Sequence, residues 1–178
     1  MKLTPRTIAG FTIIEFVVAL VVIGIVAAVT ISRMVRGSAM SGIVVRDQVI
    51  AMTRKAQQNA LGREDVNLEI KPDGGTLIIT ASDTNGEITK AELSLKDLVL
   101  TGDINQTDSC ATTPPVTAIT NSNPMTLNFD SLGDLDVSGI TGSTAAIDTA
   151  VRVCINNDPL LSVCISPSGF AYAGDCDD

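Results

Sequence analysis

Apolar positions follow three different patterns along the chain. From Phe11 to Ile31 the run of 21 residues is broken only by Thr12, Glu15, Gly24 and Thr30. As a helix it would be about 30 Å long, the thickness of a bilayer's hydrocarbon core. Beyond it the period changes. Val45, Val49, Met52, Ala56 and Ala60 recur at spacings of three and four, so the pattern predicts an amphipathic helix over 33–62. Gly62 is its expected stop. No Pro falls between residues 11 and 62, so one continuous helix of about 78 Å is allowed.

From residue 63 the period becomes two. Val66-Asn67-Leu68-Glu69-Ile70 alternates as a half-buried strand does. Pro72-Asp73-Gly74-Gly75 is a turn signal, and Thr76 to Thr80 completes a predicted hairpin. Further strands are expected at Ala91–Leu100, Met125–Phe129, Val151–Ile155, Leu161–Ile165 and Phe170–Ala173. Asn156-Asn157-Asp158-Pro159 and Pro167-Ser168-Gly169 separate the last three. Residues 101–124, rich in Thr, Asn, Asp and Pro, read as a long loop. The fold class is therefore α+β: a long N-terminal helix packed on an antiparallel β-sheet or sandwich head.

Charge follows the same division. The first ten residues carry only Lys2 and Arg6. Residues 33–63 hold six bases against Asp47 alone, a net charge of +5. Residues 64–178 hold four bases and 18 acids, a net charge of −14. The opposed charges favour packing of the stem on the head. They also oppose attraction to phosphate, so no nucleic acid is expected as a partner. There is no His among the 178 residues. That excludes His-dependent nucleophilic triads and imidazole metal ligands. Ser, Asp and Tyr are present but form no pattern that points to catalysis, so the chain is not expected to be an enzyme.

A short basic segment before an apolar run is a targeting signature. A cleaved secretory signal has an apolar region of about 7–15 residues, and this run is longer. An uncleaved signal anchor fits the length better. Neither accounts for Gly10 before the run or for Glu15 inside it, where a carboxylate costs about 2.5–3.5 kcal/mol unless paired.

Gly10-Phe11-Thr12-Ile13-Ile14-Glu15, with the apolar run through Val29, resembles the N-terminus of type IV pilins and type II secretion pseudopilins. The resemblance implies residues 1–10 as a prepilin leader, 11–32 as a membrane-spanning assembly helix, 33–62 as the stem and 63–178 as an acidic head in the periplasm. It implies cleavage between Gly10 and Phe11 by a prepilin peptidase, N-methylation of Phe11, and a pairing role in assembly for Glu15. The partners it implies are other pilins or pseudopilins and inner-membrane lipid. Major pilins often carry a kinking Pro where this chain has Ser32. Gly24 and Ala28 instead form a small-xxx-small pair suited to close helix packing.

Leu127-Asn128-Phe129-Asp130-Ser131-Leu132-Gly133, Val151 to Ile155, and Val163 to Gly169 look like the C-terminal region of GspH/FimT-type minor pilins. That likeness implies a low-abundance subunit that helps initiate a fibre. Some members bind DNA through a basic Gly-Arg-x-Arg motif. Here the matching residues are Gly169-Phe170-Ala171-Tyr172, so that function is not carried over. A Cys-rich head also fits a mannose-sensitive haemagglutinin-type pilus, on resemblance only.

Cys110, Cys154, Cys164 and Cys176 in a non-cytoplasmic head read as two disulfides. Cys154 and Cys164 sit on neighbouring expected strands and could bond directly. The resemblance instead favours Cys154–Cys176, which leaves Cys110–Cys164. Zinc and dithiol redox catalysis are disfavoured, because no CxxC exists. Asp130, Asp134 and Asp136 form a weak calcium candidate beside Gly133, without the full EF-hand spacing. A solvated acidic loop is the preferred reading, and no cofactor is expected. The alternative to a pilin is an uncleaved, membrane-anchored periplasmic binding module whose acidic head takes a cation or a basic protein.

Overall fold

The structure is a computed structural model that describes residues 13–34, 37–63, 65–103, 110, 117–140, 143–146, 149–174 and 176. It divides into two compact units, Met1–Gly37 and Ser38–Asp178. Helix α1 spans Ile13–Met34 and helix α2 spans Gly37–Ala60. The long helical stretch read from the sequence is thus helix on both sides of residues 35 and 36, which lie outside the described residues.

Among the described residues the head has eleven strands. They are β1 Val66–Asp73, β2 Thr76–Asp83, β3 Gly86–Ser94, β4 Leu100–Asp103, β5 Thr117–Ala118, β6 Met125–Phe129, β7 Leu135–Ile140, β8 Ser143–Ala146, β9 Val151–Ile155, β10 Asp158–Ile165 and β11 Ala171–Ala173. One antiparallel sheet runs β3-β2-β1-β6-β7-β8, and a second runs β11-β10-β9-β4-β5. The α+β class and the β-rich head agree with the sequence reading.

The core explains why α2 forms. Val45, Val49, Met52, Ala56 and Ala60, the five positions of the predicted stripe, are all buried. They meet Val66, Leu68, Ile70, Leu77 and Ile79 from one sheet and Val151, Val153, Ile155, Val163 and Ile165 from the other, in a single cluster. Burying each Val, Leu or Ile fully contributes about 1.5–3 kcal/mol. That packing, rather than helix propensity, holds a helix that carries three β-branched residues in succession at Ile43-Val44-Val45. At Gly42 the helix comes so close to Leu161 that a Cβ would lie 2.7 Å from its Cδ1.

The turns follow their residues. Asn156 and Asn157 have φ of 55° and 54°. A two-residue loop with both residues in the left-handed region matches the twist of the strands it joins, here β9 and β10. In the first sheet, Asn67↔Ser82 through Asp73↔Thr76 pair in unbroken register, which is the predicted hairpin.

Three expectations change. The strand expected at Ala91–Leu100 is two strands, β3 and β4, because β3 starts at Gly86 and pairs along the length of β2. The expected loop 101–124 contains the end of β4, β5 and a bridge between Thr120 and Asn123. The implied disulfides Cys154–Cys176 and Cys110–Cys164 are replaced by Cys110–Cys154 and Cys164–Cys176. Register supplies the reason. Arg152, not Cys154, faces Cys164 across β9 and β10, so the two strand cysteines are offset and each takes a partner from a different segment.

Candidate functional site

The first candidate is the N-terminal helix. Gly10 and Phe11 lie outside the described residues, as do the leader bases Lys2 and Arg6. Glu15 is the acid in the first turn of α1, where the helix dipole favours a negative charge, and it is exposed. Around it stand Ile13, Ile14, Phe16, Val17, Val18, Leu20, Val21, Val22 and Ile23, each between 49% and 85% exposed. Such a surface on every side of a helix needs an apolar surrounding. Among the described residues no helix is long and apolar enough to cross a membrane. The apolar run read from the sequence is longer than its described part. Residues 11 and 12 and the side chains of 25–40 lie outside it.

The second candidate is the junction between α2 and two head turns. Gln57 Nε2 donates to the Ser168 carbonyl at 2.7 Å, and the Gly62 amide donates to the Ser131 carbonyl at 2.9 Å. The two turns are joined in turn by the Leu135 amide and the Pro167 carbonyl, 2.8 Å apart. The helix end, the β6–β7 turn and the β10–β11 turn are therefore sewn together.

One turn earlier on α2, the Arg54 guanidinium donates twice to the Ala171 carbonyl, at 3.0 and 2.8 Å. It also lies 4.9 Å from the centroid of Phe170, which is stacked with Tyr172 at 6.4 Å. Arg54→Ala is expected to lower head stability by about 1–2 kcal/mol through these losses. Urea denaturation of the full chain measures it.

The stem's bases reach the head mainly through neutral acceptors. Lys55 donates to Thr89 Oγ1 at 2.8 Å, and Arg46 donates to the Leu160 carbonyl at 3.1 Å while pairing with Asp47 on its own helix. Arg63 reaches a head carboxylate, Asp83, at 3.3 Å. Charge opposition is thus only a background to packing and hydrogen bonding.

The three acids of the calcium candidate do not converge. Asp130 Oδ1 accepts the amides of Leu132 and Asp134, both at 2.9 Å, so that carboxylate shapes the turn. Asp130 and Asp136 line an open hollow with Asp65, Asn67, Asn128 and Ser131, while Asp134 is not part of it. Among the described residues no group of three or more acidic, Cys or His side chains is placed to hold a metal ion.

Sequence reasoning missed Asp103 and Arg152. Their side chains are 4% exposed, with Oδ2 and Nη1 3.8 Å apart. The signal was there in the strand Val151-Arg152-Val153-Cys154-Ile155, where alternation puts Arg152 on the face opposite the core.

Residues 5–31, the span containing Gly10, Phe11 and Glu15, match the family described as the prokaryotic N-terminal methylation motif. The chain carries the class III signal of type IV pilins. This motif fits a type IV pilin-like or pseudopilin protein. It implies processing by a prepilin peptidase and assembly with other pilins. The match covers 27 of the 178 residues, all within the first 31, and leaves the head unassigned. No curated protein and no solved structure matches the chain.

Proposed function

We propose that the protein is a minor pilin or pseudopilin: a structural subunit, not an enzyme, held in the inner membrane by residues 11–32 with its head in the periplasm. From there it is built into a type IV pilus or a type II secretion fibre, where it helps to initiate assembly. The methylation motif is the observation that carries this reading. The exposed apolar surface of α1 supports it, because a bilayer or neighbouring helices would cover that surface. The junction of α2 with the Gly133 and Gly169 turns supports the GspH/FimT-type assignment, since the residues that carry the likeness also fix the head on its stem.

The acidic head and the absence of bases at Phe170 and Tyr172 argue for protein rather than nucleic-acid partners. The reading divides the chain at residues 10, 32 and 62 into leader, assembly helix, stem and head.

Mass spectrometry of the chain purified from membranes tests the assignment. The expected mature N-terminus is Phe11 carrying one N-methyl group. A chain that keeps Met1 while the prepilin peptidase is active would instead favour the anchored binding module.

A further inference from the structure

Eight asparagines lie among the described residues, and the fold holds the side chains of six of them. Asn59 donates to the Lys55 carbonyl, Asn121 to Asp73 and Asn123 to the Ala118 carbonyl. Asn67 accepts from Ser82, Asn156 from the Val99 amide and Asn157 from Thr101. Asn128 is not held in this way, but it lies inside β6 ahead of Phe129, which is buried in the core. Asn85 differs from all of them. It stands exposed in the two-residue turn between β2 and β3, and among the described residues nothing hydrogen-bonds its carboxamide. Its successor is Gly86, and the chain has no other Asn-Gly pair.

The local geometry leaves that pair free to react. Asp83 Oδ1 accepts the Asn85 backbone amide at 2.7 Å, which shapes the turn without restraining the Asn85 side chain. Gly86 has φ of +126°, and nothing lies within 4 Å of the place a Cβ would take. Its nitrogen is therefore crowded neither by a side chain of its own nor by a neighbour on that side. Asp83↔Gly86 is the last pair of the β2–β3 ladder, and the end of a ladder opens first, which frees the Gly86 amide.

We propose that Asn85 is a site of spontaneous covalent modification, in which the Gly86 backbone nitrogen attacks the side-chain carbonyl carbon of Asn85. A bond forms between that nitrogen and Cγ and closes a succinimide ring. The bond from Cγ to the side-chain nitrogen breaks, and ammonia leaves with the proton that Gly86 gives up. Water then opens the ring and returns a proton to the Gly86 nitrogen. Opening at Cγ leaves aspartate. Opening at the α-carbonyl leaves isoaspartate, with the main chain routed through Cγ and one methylene longer. Either product adds a carboxylate to the hollow lined by Arg63, Asp65, Asp83, Thr84 and Asn85. Arg63 is the only base of that hollow and already meets Asp83 at 3.3 Å, so the new charge competes for it. The acidic head thus gains a further negative charge as the molecule ages. This inference is independent of the assembly role, because it concerns the head alone.

The test ages the full chain in detergent micelles at physiological temperature and follows it by peptide-mapping mass spectrometry. Asn121, exposed and followed by Ser122 but held by Asp73, is the internal reference. Asn85 is expected to gain one mass unit at least about tenfold faster than Asn121. Raising the pH by one unit should speed it about tenfold more, because the deprotonated amide is the attacking form. Isoaspartate should exceed aspartate among the products, as read by labelling with an isoaspartyl methyltransferase and S-adenosylmethionine. Asn85→Gln, whose longer side chain would have to close a larger ring, should leave this peptide unshifted. A rate at Asn85 no higher than at Asn121 would overturn the proposal, and so would aspartate formed without isoaspartate, which is direct hydrolysis. A mass shift that persists in Asn85→Gln would place the reaction elsewhere and overturn it too. The last arm repeats the ageing in urea. A folded-state rate within about tenfold of the urea rate is expected at Asn85, whereas one more than about a hundredfold lower would show that the ladder shields Gly86 and would overturn the assignment.

Discussion

Replacing Glu15 with Ala is expected to leave leader removal and Phe11 methylation intact and to lower incorporation into the fibre by about a hundredfold. Glu15 is the only acid before Asp47, and it is ringed by apolar side chains that are half or more exposed. A carboxylate in that setting is tolerated when it has a positive partner. Phe11 is four residues earlier, and once the leader is gone its amine is a cation. On the proposed function, that amine belongs to a neighbouring subunit as the chain enters the fibre. Removing one member of an ion pair in an apolar medium leaves the other uncompensated, at about 3–5 kcal/mol, and about 2.7 kcal/mol already corresponds to a hundredfold. Glu15→Gln keeps the shape and loses the charge, so it should fail as Ala does, whereas Glu15→Asp should be partly competent. The measurement is the ratio of mature subunit in sheared fibres to mature subunit in membranes. A wild-type ratio for Glu15→Ala would remove the pairing role. Loss of cleavage would move Glu15 to peptidase recognition instead.

The parts of the molecule legible in the sequence are those where a local period coincides with burial. The stripe Val45, Val49, Met52, Ala56 and Ala60 was readable because α2 buries one face and no other. The hairpin 66–80 was readable because β1 alternates strictly and its turn residues are unambiguous. The β7–β8 region was not. Val137-Ser138-Gly139-Ile140-Thr141-Gly142-Ser143 has the composition of a loop, and β7 is strand because β6 offers it an edge, with Met125↔Ile140 and Thr126↔Gly139 in register. The start of β3 was missed for a related reason. The leucines at 93, 95, 98 and 100 drew the expected strand toward the C-terminal end, while pairing with β2 fixed its true start at Gly86.

That the four cysteines form two disulfides was legible, but their pairing was not. Their pairing depends on a two-residue offset between Cys154 and Cys164 across β9 and β10, which leaves no local signal. The N-terminal signal is the opposite case. It is a linear pattern rather than a fold, and the span 5–31, which contains Gly10, Phe11 and Glu15, matches the N-terminal methylation motif.

Gly169→Ala is expected to destabilise the head by about 3–4 kcal/mol. Gly169 has φ of +73°, where an L residue costs about 1 kcal/mol. The remainder comes from where its Cβ would point: 2.2 Å from the Gly133 carbonyl oxygen, 3.0 Å from Gln57 Nε2 and 3.2 Å from Phe129 Cε1. None of these can yield cheaply. Gly133 sits in a turn closed by its amide on the Asp130 carbonyl, the turns are tied by the bond from Leu135 to Pro167, and Gln57 already donates to Ser168. Phe129 is 1% exposed and fixed in the core. Relieving the contact therefore means parting the two turns from each other and from the end of α2, which forfeits several hydrogen bonds and their packing. Gly74→Ala is the control. Its φ is +56° and nothing lies within 4 Å of the new methyl, so it should cost the conformational term alone, about 1 kcal/mol. Urea unfolding of both variants gives the difference directly. Equal losses would mean that backbone preference, not the close approach of the two turns, accounts for the glycine, and the junction would then lose its claim to fix the head on its stem.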